Sequence, residues 1–373
     1  MTLSIPTQIM LIAVVVALSC SLLGVFLVLK KMAMMSDAIT HTILLGIVIG
    51  FFITHDFNSP LLILGASLTG VLTVYLIEML QRTRLLSEES SIGVVFPLLF
   101  SIAIILITRY AGSVHLDTDA VLLGEIAFAP FDTMMLFGMQ LPKSLVTMSI
   151  ILIVDLLFVV IFFKELKLTS FDPLLAATLG FAPVLLHYAL MTLISVTAVG
   201  AFNAVGSVLV IAFMIGPPIT AFLLTHDLVK LILISSGFAI FNAITGYQFA
   251  NYFDVSIAGS MALMTGISFG VVFLFSPREG LISNKIRRHQ QKSEFAELTV
   301  LFHLYNHEES DAEAEEAGVW SIYEHLNWSQ TKIQKIIQNL EIKKYITIDK
   351  EIIKLTNLGR EVSINHAENI FDR

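Results

Sequence analysis

In the stretch MMSDAITHTILLGIVIGFF, Asp37 and His41 stand four residues apart in otherwise apolar text. On a helix, residues at this spacing share a face. A carboxylate oxygen and an imidazole nitrogen are donors suited to manganese, iron or zinc, and the lack of a thiolate argues against copper(I). A rise of ~1.5 Å per residue from residue 33 puts His41 roughly a third of the way across a bilayer. A charge at that depth costs several kcal/mol unless it is paired or holds a cation. Two readings fit this spacing: ligands lining an ion path, or an internal contact of Asp37 with a structural role.

Other polar groups interrupt apolar runs. Asp155 lies in TMSIILIVDLLFVVIFF and His187 in FAPVLLHYALMTLIS. Intramembrane ionisable groups default to functional candidates. Here the expectation is that Asp155 and His187 pair with each other between adjacent spans, as a structural or interface contact rather than a metal relay. Glu78 is expected to reach solvent at the inner end of its span. His115, Asp117, Asp119 and Glu125 resemble a metal cluster but read more simply as a capping and turn network facing a partner protein. His55 and Asp56 read as a solvated loop. His303 and His307, followed by Glu308, read as a solvated helix end rather than a metal sensor.

These residues need spanning elements to position them. Of the 373 residues, 56% are hydrophobic and 14% charged, with a mean hydropathy of +0.83. Soluble domains carry about 25% charged residues, so this is an integral membrane protein. Residues 1–275 hold 9 Lys/Arg and 14 Asp/Glu, and residues 276–373 hold 13 and 16, so a membrane part precedes a polar tail. The single cysteine, Cys20, excludes an intrachain disulfide. The first residues lack a basic leader, and the first segment reads as a retained span. A span needs about 20 apolar residues. Nine candidates occur, at 8–29, 33–54, 60–80, 91–109, 144–163, 182–200, 205–224, 229–249 and 255–275. The sixth and seventh are separated only by AFNAV, so eight spans is the alternative. Pro217 and Pro218 inside a span require surrounding protein or a lined cavity. With nine spans, Lys30, Lys31, Arg82, Arg84, Lys164, Lys167 and Lys230 fall inside, and only Arg109 and Lys143 outside. The tail is then cytoplasmic. In KELKLTSFDPLLAATLGFAP, Asp172 before Pro173 reads as the cap of a short inner helix ended by Gly180.

KKMAMMSDAITHTILLGIVIGFF resembles the second helix of permeases from bacterial ABC importers of manganese, zinc and iron, with their basic pair followed by M-x-x-M-x-D-A-x-x-H. SFDPLLAATLG is similar to that family's ATPase-coupling segment, and VGSVLVIAFMIGPPITAFLL to its proline-bearing helix, here with a doubled proline. HLDTDAVLLGEIAFAP resembles the outer loop of the manganese/iron branch. The resemblance implies that Asp37 and His41 line the translocation path, and that Ser170, Phe171, Asp172 and Pro173 meet the ATPase. It also implies a dimer in which two second helices face each other, a cytoplasmic ABC ATPase dimer, and an extracytoplasmic metal-binding protein that delivers cargo. The second permease is a copy of this chain or a relative of it.

Residues 293–373, after a basic linker at 278–292, read as helix, turn, helix, two short strands around Asp349 and Lys350, then a helix. That order resembles the winged helix-turn-helix of iron-dependent repressors, including L-T-x-x-G-R after the wing. DNA binding needs a basic face. Residues 276–373 are net −3, and the second helix offers Lys332, Lys335, Lys343 and Lys344 but no arginine, so a regulatory or docking role is preferred.

The expectation is therefore an all-α polytopic permease at 1–277 and a small α+β winged-helix domain at 293–373. The permease would carry a divalent cation, manganese first and iron or zinc as alternatives, across a bacterial cytoplasmic membrane. There is no G-x-x-x-x-G-K-[ST] phosphate loop, so ATP hydrolysis belongs to a partner subunit. No permanent cofactor is expected. The competing reading is a membrane-tethered, metal-responsive transcriptional regulator.

Overall fold

The computed structural model describes residues 4–55, 59–110, 126–136, 139–308, 316–319 and 321–371. The chain forms two compact units, Met1–Gly280 and Leu281–Arg373.

The first unit is a helical bundle. Its long helices are α1 (Ile5–Leu29), α2 (Ala33–Thr54), α3 (Pro60–Arg82), α4 (Glu88–Tyr110), α5 (Lys143–Ile161), α8 (Pro183–Val205), α10 (Leu228–Phe253) and α11 (Ile257–Phe275). These eight are long and apolar enough to cross a membrane among the described residues, so the polytopic reading holds with eight such helices rather than nine. The remaining candidate is α9 (Ser207–Phe222), only 16 residues long. AFNAV does not connect two spans: it is the last turn of α8, because none of its residues breaks a helix. The break falls at Gly206, whose φ of 81° is open to glycine and strained for other residues. The end of α9 nonetheless reaches the end of the bundle where α11 finishes. The Ser276 hydroxyl donates to the Leu223 carbonyl at 2.6 Å, and His226 lies 3.1 Å from Glu279.

Helix α1 is apolar all round and is enclosed by α5, α8, α9 and α10. Pro217 and Pro218 lie buried inside α9. Lacking N–H groups, they leave the carbonyls of Phe213 and Met214 without helical donors. Gly24 of α1 packs there, and a Cβ on it would fall 1.9 Å from the Met214 oxygen. A 3₁₀ turn (Ala129–Phe131) and a hairpin of β1 (Thr133–Leu136) and β2 (Met139–Pro142) precede α5. Between α5 and α8 run two short helices, α6 (Phe163–Phe171) and α7 (Pro173–Thr178).

The second unit holds α12 (Leu281–His307), α13 (Ile322–His325), α14 (Gln330–Ile342), β3 (Ile346–Asp349), β4 (Ile352–Leu355) and α15 (Asn357–Phe371). Helix α12 begins within the expected linker, a stretch with no Pro or Gly after Gly280. Val300, Leu304, Ile333, Ile337, Leu340, Ile346 and Ile353 form a separate apolar core. Strands β3 and β4 pair antiparallel with Asp349 opposite Ile352. Lys350 and Glu351 both take positive φ, as a two-residue I′ turn requires.

Candidate functional site

Helix α2 is fixed first by α3. Gly46 and Gly65 meet backbone to backbone: a Cβ on Gly46 would lie 2.3 Å from the Gly65 oxygen, and one on Gly65 2.7 Å from the Gly46 oxygen. Small residues permit such close crossings in membranes. The Thr73 hydroxyl adds a 2.8 Å hydrogen bond to Thr42. On the side of α2 away from this seam, Met34, Asp37, His41 and Ile49 form a stripe that the chain leaves partly or wholly uncovered.

On that stripe His41 Nε2 stands 3.3 Å from Asp37 Oδ1. Phe96 of α4 packs against the imidazole at 5.0 Å between ring centroids, and Phe100 meets it edge-on at 6.3 Å. The aromatic wall limits the imidazole's freedom while both polar groups keep access to the open side. One oxygen and one nitrogen are half of a tetrahedral ligand set. A second such pair, or water, would have to complete it.

Asp155 and His187 do not pair with each other. Asp155 accepts a 2.8 Å hydrogen bond from the Thr197 hydroxyl of α8 and is fully buried. Its second oxygen, Oδ1, has no hydrogen-bond partner. His187 instead meets Glu78 through Nε2, and the Tyr188 hydroxyl donates to the other Glu78 oxygen at 2.7 Å. Arg82 approaches the same carboxylate at 4.0 Å. Glu78 is thus enclosed and partnered, not solvated. Neighbouring side chains at 187 and 188 claim both carboxylate oxygens at once. Sequence spacing pairs neighbours along one helix and has no access to partners 109 and 110 positions apart.

This cluster borders a cleft of about 630 Å³ lined by Lys30, Glu78, Arg82, Ser170, Pro173 and His187. Burial pushes the Lys30 ammonium below its ordinary pKa, and the Glu78 carboxylate partly offsets that. The cleft therefore places the basic pair after α1, the end of α3 and the α6–α7 junction at one end of the bundle.

At that junction, the Asp172 carboxylate accepts the Leu175 N–H at 2.9 Å, with Pro173 at the first helical position. The expected cap is formed. Gly180 ends the segment with a φ of 87°. Leu166 and Thr169 anchor α6 inward, while Phe171 is 57% exposed and Leu174 80% exposed. Ser170 is partly covered, and its hydroxyl has no hydrogen-bond partner. A capped short helix thus carries large apolar side chains outward. His115, Asp117, Asp119, Glu125 and Asp56 lie outside the described residues.

Comparison with known proteins adds to this geometry. The model of the ABC 3 transport family matches residues 4–276. The zinc transport system membrane protein TroD of Treponema pallidum is 43% identical over 94% of this chain and 96% of its own length. The manganese transport system membrane protein MntD of Bacillus subtilis is 42% identical, covering 76% of this chain and 96% of its own. Among solved structures, PsaBC from Streptococcus pneumoniae in complex with Fab superposes with a TM-score of 0.63 at 28% identity, over 76% of this chain and 96% of that one.

Proposed function

The chain belongs to the ABC 3 transport family, and on that premise we propose that it is the permease subunit of an ABC importer, carrying a divalent transition-metal cation into the cytoplasm. The relatives' names divide between zinc and manganese. The nitrogen and oxygen donors of Asp37 and His41 suit both, and iron(II) as well. The observation that carries the reading is the Asp37–His41 pair, held against Phe96 and Phe100 on a face of α2 that the chain itself leaves open. Two copies of that face would supply two carboxylates and two imidazoles to one ion. The site must still release its cargo, which argues for exchangeable ligands rather than a closed cage.

The reading extends to partners. An ATPase dimer docks on the α6–α7 junction through Ser170, Phe171, Asp172 and Pro173, and an extracytoplasmic binding protein delivers the ion. Placing that junction inside follows from the lysines and arginines gathered at the same end, Lys30 and Arg82 among them. The return of α9 to the end where α11 finishes supports a cytoplasmic C-terminal unit. In that unit, residues 293–373 form a winged helix like that of iron-dependent repressors, with β3–β4 as the wing. Its role is to dock or regulate.

The test is ATP-dependent uptake of manganese and zinc into proteoliposomes holding the permease, its ATPase and its binding protein. Asp37→Asn and His41→Ala should each abolish uptake while the complex still assembles. Wild-type uptake by both variants would remove the assignment.

A further inference from the structure

Beyond the membrane pair, the C-terminal unit gathers a second set of metal-binding side chains. His303 and His307 stand one turn apart on α12, with ring centroids 4.8 Å apart. The chain returns at Glu316, and one ligand atom from each of His303, His307 and Glu316 lies within 4.8 Å of the others. Zinc sits about 2.0–2.2 Å from imidazole nitrogen or carboxylate oxygen, so ligands sharing one ion stand about 3.4 Å apart.

The backbone already holds these groups. Ala317 accepts the Ile353 N–H at 2.9 Å and Val319 donates to Glu351 at 3.0 Å, so the residues after Glu316 are pinned to the hairpin. His303 Nε2 lies 3.0 Å from the Glu316 carbonyl oxygen. A backbone partner of this kind fixes the tautomer and orientation of a ligating histidine. His325 Nδ1 lies 3.0 Å from Glu316 Oε2, which orients the carboxylate. Glu308, the acid nearest in sequence, is excluded because Arg360 holds it at 2.7 Å. His303 Nε2 and His325 Nδ1 stand 3.5 and 3.0 Å from Glu316 Oε2; His303, His307 and Glu316 are partly buried, and His325 is exposed.

We propose that His303, His307 and Glu316 form a cation site for a divalent first-row metal, with His325 positioning the carboxylate. The Irving–Williams order makes such a site bind zinc more tightly than manganese or iron(II). This site stands independently of the transport reading.

The test uses the full-length chain in detergent, stripped with chelator and carrying Asp37→Asn and His41→Ala, so that the membrane pair cannot contribute. Zinc is titrated in competition with a chromogenic chelator, and cobalt(II) is added separately to read coordination from its visible absorption. One tight zinc per chain is expected. His303→Gln with His307→Gln should weaken it more than about 100-fold and abolish the cobalt spectrum. Glu316→Gln, which preserves shape, should do the same. His325→Gln should weaken binding about 10–100-fold, as loss of an orienting partner does. Absence of a tight zinc in the Asp37→Asn, His41→Ala chain would overturn the proposal, as would unchanged affinity and spectrum in the histidine and Glu316 variants. Failure of transport itself would show in the uptake assay and leave this measurement untouched.

Discussion

Among the described residues of the membrane unit, the carboxylate with the fullest set of partners is Glu78, not the pair that the sequence marks first. His187 and Tyr188 each take one of its oxygens. Glu78→Ala leaves both without their acceptor, and a lost hydrogen bond to a charged group costs about 1.5–3 kcal/mol. The melting temperature of the purified chain should fall accordingly. Glu78→Gln keeps an oxygen for Tyr188 and should fall less; equal melting of the two variants would show that the oxygens are not what matters. Asp37 and His41 were legible from spacing, because i and i+4 on a helix is a local relation. Their backing by Phe96 and Phe100 was not, since it depends on how α4 lies against α2. The expected Asp155–His187 pair failed for the same reason. Apolar spans carry no signal for which helices become neighbours, and Thr197 and Glu78 were nearer.

Among elements, α2 is the one whose position the candidate site depends on. Its seam with α3 has no room at Gly46, so Gly46→Ala must push the two helices apart. Overpacking of this kind costs about 1–3 kcal/mol, which thermal melting would register. Uptake should fall although Asp37 and His41 are untouched; wild-type uptake with wild-type melting would show that the seam yields freely. The α6–α7 junction makes a different demand. Asp172→Ala removes the cap of α7, at about 1 kcal/mol of local helix stability. Weaker ATPase association, or hydrolysis uncoupled from uptake, is the expected readout in reconstituted complexes. Unchanged binding and coupling would separate the cap from the docking role. This cap was readable because Asp-Pro is a local signal. The β1–β2 hairpin was missed because its strands are four residues each and lack strict alternation.

At the scale of the whole molecule, the two units call for separate tests. The C-terminal unit has its own core, so residues 281–373 should fold when expressed alone, as circular dichroism would show. Their lysines are not a free basic face: Lys343 pairs with Glu297 at 2.6 Å and Lys332 covers the Trp328 ring at 3.4 Å. No duplex binding is expected at physiological salt, since nonspecific affinity draws on neutralised phosphates. Salt-sensitive binding to a promoter fragment would revive the membrane-tethered regulator. Composition and charge made the division into a membrane part and a polar tail legible. They overstated the number of membrane-length helices because a buried 16-residue helix is as apolar as a span. That helix, α9, has a mechanical consequence. Two of its rungs are missing at Pro217 and Pro218, while Gly206 ends it on one side and the Leu223–Ser276 bond tethers it on the other. A rod held at both ends with its stiffness removed between them behaves as a flexure. Bending is easiest at Phe213 and Met214, whose carbonyls lack helical donors, and there bare Gly24 keeps α1 in backbone contact with the flexure.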